Sequence, residues 1–120
     1  MTANTVISQV REELNDRDKT RWSDPVLLQY LSDGERRVYE KRPDLFLQSN
    51  GTSISTPVQL TGLTDPMILD EMSKEGLVSY VCYRGLNEDS DDKLATGRAN
   101  GYLRRFYGVF LGHEVPVRGA

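Results

Sequence analysis

Trp22-Ser23-Asp24-Pro25-Val26-Leu27-Leu28-Gln29-Tyr30-Leu31-Ser32-Asp33-Gly34 carries the clearest helix start in the chain. Ser23 can accept from the free N–H groups of a first turn, and Pro25 fits there because its missing N–H had no partner to lose. Trp22, just ahead of the cap, is placed to fold back on Leu27 or Leu28 as a hydrophobic staple. Leu27, Leu28, Leu31, Gly34 and Val38 then continue one apolar stripe, with Tyr39 at its edge. Asp33, Glu35, Arg36, Arg37, Glu40 and Lys41 lie mostly off that stripe. Arg42-Pro43 ends the helix, since a residue before proline resists helical dihedrals. Gly34 inside it costs about 1 kcal/mol relative to alanine, a cost that a close helix crossing would explain.

Upstream, residues 5–15 place Val6, Val10 and Leu14 on one face with Ile7 beside them, Thr5 as the N-cap and Glu12 and Glu13 outside. The polar residues 15–21 read as a surface loop. Downstream, residues 44–64 lose helix formers. Asn50-Gly51 is a turn dipeptide between Leu45-Phe46-Leu47 and the alternating Ile54, Thr56, Val58 and Leu60, and Pro57 restricts any strand there to an edge. Thr64-Asp65-Pro66 repeats the cap-then-proline signal, and Leu69, Met72, Gly76, Tyr80 and Tyr83 keep helical spacing to about Leu86. Residues 77–83 could form a strand on propensity, but continuity of the pattern favours helix. After the acidic Asn87-Glu88-Asp89-Ser90-Asp91-Asp92, a last helix carries Leu94, Arg98, Tyr102, Phe106 and Phe110, with Leu103 and Val109 alongside and Gly112 as its C-cap. The expected fold is mainly α. It is one domain over 1–120, a small four-helix bundle (body about 5–43 and 65–111) with an extended β-hairpin-like arm between helices 2 and 3 (about 44–64) and an extended C-terminal tail (112–120).

The composition narrows the function classes. A chain of 120 residues with 38% hydrophobic and 28% charged side chains fits one core. No apolar run approaches the roughly 18 residues of a membrane helix, and the start lacks the pattern of a signal peptide. A net charge of −3 requires a segregated basic face for any nucleic-acid role. Cys82 is the only cysteine, so neither an internal disulfide nor a cysteine zinc cage is expected, and its apolar surroundings suit core packing. His113 is the only histidine and lies in the tail, a poor place for a catalytic or metal-binding group. The acidic run lacks the glycine and later glutamate of a calcium loop, and Asn50-Gly51-Thr52 reads as a turn rather than a glycosylation acceptor. No catalytic, cofactor or metal residues are expected.

Interfaces are the remaining candidates. Arginine outnumbers lysine, which suits planar, bidentate contacts between proteins. The doublets Arg36-Arg37 and Arg104-Arg105 read either as solvated faces or as inter-subunit partners for carboxylates such as Asp89, Asp91 and Asp92. Gly97, Gly101, Gly108 and Gly112 follow one face of the last helix and suggest close helix approach, inside the fold or between subunits. Tyr107 falls off the apolar stripe and is a candidate interface anchor.

The order of these segments resembles the head-to-tail adaptor (connector, or head-completion) proteins of tailed bacteriophages. The likeness rests on Val10-Arg11-Glu12-Glu13-Leu14-Asn15-Asp16, Thr20-Arg21-Trp22-Ser23-Asp24, Leu27-Leu28-Gln29-Tyr30-Leu31-Ser32-Asp33-Gly34 and Arg42-Pro43-Asp44. In the second half it rests on Ile68-Leu69-Asp70, Tyr80-Val81-Cys82-Tyr83-Arg84-Gly85-Leu86 and the acidic loop before a last helix. The Ser/Thr-rich stretch 48–61 is longer than the family pattern. The resemblance implies a non-enzymatic virion protein, made in the host cytoplasm and assembled as a homo-oligomeric ring, typically twelvefold, at the neck. It would bind the portal protein on one side and a tail, stopper or terminator protein on the other, with DNA passing through the lumen without specific binding and no membrane contact. Candidate inter-subunit or portal-facing residues are Arg36, Arg37, Ile54, Val58, Arg104, Arg105, Tyr107, His113, Val115, Val117 and Arg118. The alternative is a small helical DNA-binding regulator reading through one of the arginine doublets.

Overall fold

The computed structural model describes residues 1–16, 18, 21–47, 54–88 and 93–112. Four helices form the body: α1 (Ala3–Glu13), α2 (Asp24–Lys41), α3 (Lys74–Glu88) and α4 (Lys93–Leu111). Short 3-10 turns at Pro43–Phe46 and Glu71–Ser73 complete it. α3 is the central element, packed on α4, α2 and α1. This explains why its apolar residues are not confined to one stripe. Leu77, Val78, Tyr80, Val81, Cys82 and Leu86 are all buried, because partners lie on several sides. Helix, not strand, therefore holds across residues 77–83.

The α2 reading holds in detail. Ser23 Oγ accepts from the Val26 N–H at 3.4 Å, and the stripe of Leu27, Leu28, Leu31 and Val38 is buried. A Cβ on Gly34 would meet Tyr80 Cδ2 at 2.7 Å, so this glycine does mark a close crossing, of α2 over α3. Trp22 is buried as expected, in the same core cluster as Leu27 and Leu28. Its indole lies over Gly85 of α3, where an added Cβ would meet it at 3.3 Å and Leu14 at 3.4 Å.

Three local readings need correction. First, α1 begins at Ala3 rather than after a Thr5 cap. Its leading N–H groups are satisfied from far along the chain, Ala3 N–H donating to Asp65 O (2.9 Å) and Asn4 N–H to Leu63 O (2.8 Å). A tertiary cap of this kind leaves no local signature.

Second, the polar loop after α1 is not simply a surface loop. α1 ends in a Schellman motif, with Asn15 at φ 55°, Asn15 N–H on Glu12 O and Asp16 N–H on Arg11 O. Asp16 is thereby turned inward and is 3% exposed. Its carboxylate accepts from Arg11 Nη1 (3.0 Å), Arg21 N–H (3.1 Å) and Trp22 N–H (3.2 Å). Buried Arg11 also donates to Trp22 O (2.9 Å) and Asp24 Oδ1 (2.6 Å), so one ion-pair network fastens the end of α1 to the start of α2.

Third, Thr64-Asp65-Pro66 is not a helix start. Asp65 Oδ2 accepts from the N–H groups of Thr61 (2.8 Å) and Gly62 (3.1 Å) and closes a turn. Those donors hold the Asp65 carboxyl below its ordinary range. Pro66 lies against Thr2 as an antiparallel bridge, and α3 begins only at Lys74, after Asp70 caps the Met72 N–H (3.1 Å). That shift rotates Met72 out of the stripe, leaving it 88% exposed.

The arm is plainer than a hairpin. One antiparallel bridge joins Leu47 to Ile54, supported by Ser55 N–H on Phe46 O (2.8 Å), and no strand occurs among the described residues. The Asn50-Gly51 turn lies outside them. The returning chain is pinned to α2 instead of to a sister strand. Leu60 N–H donates to Ser32 Oγ (2.9 Å), and the N–H groups of Ile68 (3.1 Å) and Leu69 (3.3 Å) donate to Glu35 Oε2.

Glu35 is 1% exposed, and burial pushes its carboxyl above the ordinary value, outweighing the two N–H donors that pull it down. A carboxyl raised on folding contributes most below its unfolded value and loses that contribution as pH rises through the folded one. Thermal melts between pH 4.5 and 7 should therefore show a steeper fall with rising pH for the native chain than for Glu35→Gln. Equal slopes would contradict this placement.

Candidate interface surfaces

α4 is an acid-free helix. Between Lys93 and Leu111 it has four basic residues and no carboxylate, in a chain whose net charge is −3. Its inner face is aromatic: Phe106 lies 5.0 Å from Tyr80 and 5.2 Å from Phe110, ring centre to ring centre. Gly76 of α3 meets this face so closely that an added Cβ would run into Phe110 and Val109.

The outer face is open. A Cβ placed on Gly97, Gly101 or Gly108 would meet nothing within 4 Å. Among the described residues, therefore, these three glycines serve no crossing inside the fold. Gly101, Arg104, Arg105, Gly108 and Val109 line a groove of about 530 Å³ there. Arg104 makes no ion pair among the described residues, and Arg105 lies over the Tyr102 ring at 5.3 Å. Gly112 takes φ 73° and ends the helix, as its type suggests.

The other arginine doublet is engaged within the subunit. Arg36 sits 3.6 Å from Asp33 in an exposed pair. Arg37 reaches across to α4, donating to the Tyr107 hydroxyl at 3.4 Å with its guanidinium 5.7 Å from the Tyr80 ring centre. Arg37 and Tyr107, singled out separately in the sequence, are thus brought together as an α2–α4 contact. Arg84 likewise joins Asp33 (3.1 Å) and the Tyr80 hydroxyl (3.1 Å).

The arm supplies a second surface, which is apolar. Leu47 and Ile54, directly paired, are 49% and 47% exposed, and Val58 is 68% exposed. Side chains of this type are left in water at a cost of about 25 cal/mol per Å² of apolar surface. His113, Val115, Val117 and Arg118, together with the acidic partners Asp89, Asp91 and Asp92, lie outside the described residues.

Cys82 is fully buried among apolar neighbours, and desolvation pushes its thiol up to about 12, which makes it a packing group. No cluster of His, Cys, Asp or Glu with metal-binding geometry occurs among the described residues, nor does any helix there reach the length and apolarity of a membrane span. Sequence reasoning missed the inward Asp16, the buried Arg11 and Glu35, and the exposed Met72. An asparagine closing a helical stripe was the available sign of the first, since asparagine tolerates positive φ. Compared with protein-family models, with curated proteins and with solved structures, the chain shows no significant match.

Proposed function

We propose that this chain is a structural, non-enzymatic subunit of a tailed-bacteriophage neck, assembling as a ring between the portal and the tail or stopper. The observation that carries the reading is the presence of two unlike surfaces left unmatched among the described residues. One is the basic, glycine-lined outer face of α4, and the other is the apolar arm at Leu47, Ile54 and Val58. Unlike surfaces on one chain favour head-to-tail contacts, and such contacts form a ring when the rotation between neighbours closes. The segment order set out above supplies the kind of ring. Each contact is modest, so the subunit is monomeric when free and the ring forms on its portal, where linked contacts multiply. A net charge of −3 suits a lumen through which DNA slides, because few phosphate contacts hold it.

Cryo-electron microscopy of the purified chain mixed with its portal ring tests this. The expected result is a second ring of density stacked on the portal; free portal and free subunit at high micromolar concentration would contradict it. The acid-free α4 favours a DNA-binding regulator as the second reading. A steep loss of duplex affinity with salt would support that alternative, whereas weak binding with a shallow slope, the expected result, would not.

A further inference from the structure

We propose that the turn carrying Met72 on one copy of this chain seats in the α4 groove of a second copy, with Glu71 against Arg104 and Arg105. Met72 is the most exposed large apolar side chain among the described residues. It stands in the 3-10 turn Glu71–Ser73, and that turn is fixed from both sides of Asp70. The Asp70 carboxylate accepts from the Met72 N–H (3.1 Å), and the Asp70 carbonyl accepts from the Ser73 N–H (3.0 Å). A methionine held out on a short capped turn is an apolar knob, and its unbranched thioether adapts to an irregular cavity. Its neighbours Asp70 and Glu71 are exposed carboxylates, and Glu71 forms no ion pair among the described residues. The nearest cation in the chain, Lys74, is half-buried and lines a different pocket with Glu13 and Glu75.

The groove has the complementary character. Gly101, Gly108 and Val109 give it apolar walls, Arg104 and Arg105 give it positive charge, and α4 has no carboxylate to oppose an acidic visitor. Within one subunit the knob and the groove do not meet. Gly76 lies against Phe110 and Tyr80 against Phe106, so α3 and α4 run antiparallel, and Met72, one turn before Gly76, falls beyond the end of α4. Gly101 stands a further 12 Å or so back from Val109, at about 1.5 Å per residue. An apolar knob and a pocket at different places on one molecule pair head to tail between copies. The inference rests on the head-to-tail contact of the neck reading and names its two sides. It gives the α4 face to the neighbouring copy and leaves the apolar arm to the portal or tail.

Methyl NMR of the full chain alone, with its methionine methyl groups labelled, tests this with the native side chain in place. As protein concentration rises, the Met72 methyl signal should move while that of buried Met67 stays fixed. The movement should be lost in Gly101→Leu/Gly108→Leu, which fills the groove, and in Arg104→Glu/Arg105→Glu, which reverses its charge. Adding Glu71→Arg to the second variant should restore it. A Met72 signal that ignores concentration in the native chain would overturn the proposal. Movement that persists with the groove filled would also overturn it, because another surface would then be the receptor, and so would a charge reversal that Glu71→Arg does not rescue. No portal is present, so the two readings fail separately. Movement without stacking on the portal would support this contact and remove the neck, and stacking with a static Met72 would do the reverse.

Discussion

Asp16→Ala should lower the unfolding free energy by roughly 3–5 kcal/mol, the cost of removing one partner from a buried ion pair. Arg11 would keep Asp24 but lose the more deeply buried of its two counter-ions, and the N–H groups of Arg21 and Trp22 would lose their acceptor. A domain of this size has only about 5–15 kcal/mol in total. The variant should therefore be partly unfolded at 37 °C, and its urea midpoint should drop far below that of the native chain. Asp18, in the same polar loop but exposed, gives the comparison: Asp18→Ala should stay within about 0.5 kcal/mol of native. Similar urea curves for the two variants would show that the Arg11–Asp16 network does not fasten α1 to α2.

The second large effect has the opposite sign for stability. Gly97→Ala/Gly101→Ala/Gly108→Ala should raise stability by about 2–3 kcal/mol. Each glycine stands in a helix, each added methyl meets open space, and each exchange gains up to about 1 kcal/mol. A rise in melting temperature of roughly 10 °C corresponds to that gain. The same variant should fail to assemble on the portal, because three methyl groups would line the groove that a neighbour must approach closely. A chain that is more stable and still forms rings would remove α4 from the interface. A chain that is less stable would show that the stripe is covered within the subunit.

How far the sequence could be read depended on whether each signal was local. Ser23-Asp24-Pro25 and Gly112 mark helix ends through their own dihedrals and side chains, and both ends lie where those residues place them. Gly34 announced a crossing through its local cost. By contrast, α1 is capped by the carbonyls of Leu63 and Asp65, some sixty residues away in the chain, and nothing near Ala3 reports that. Asp65-Pro66 has the letters of a helix start, but its carboxylate is taken up by Thr61 and Gly62, so the helix waits until Lys74. The arm alternates like a strand, yet at Leu60 it is held by Ser32 of α2, and the chain that follows it is held by Glu35, side chains that periodicity alone does not connect to it. For the interfaces, the sequence supplied the arginines and the glycines of α4. Only the structure separated Arg37 and Tyr107, engaged with each other, from Arg104 and Gly101, which face open space.

Electron microscopy of particles made by a nonsense mutant in this gene tests the central proposal most directly. A neck subunit predicts filled or leaking heads beside complete but unattached tails, with infectivity restored when the native chain is supplied. Normal, infectious virions would contradict the neck reading and favour a DNA-binding role for α4.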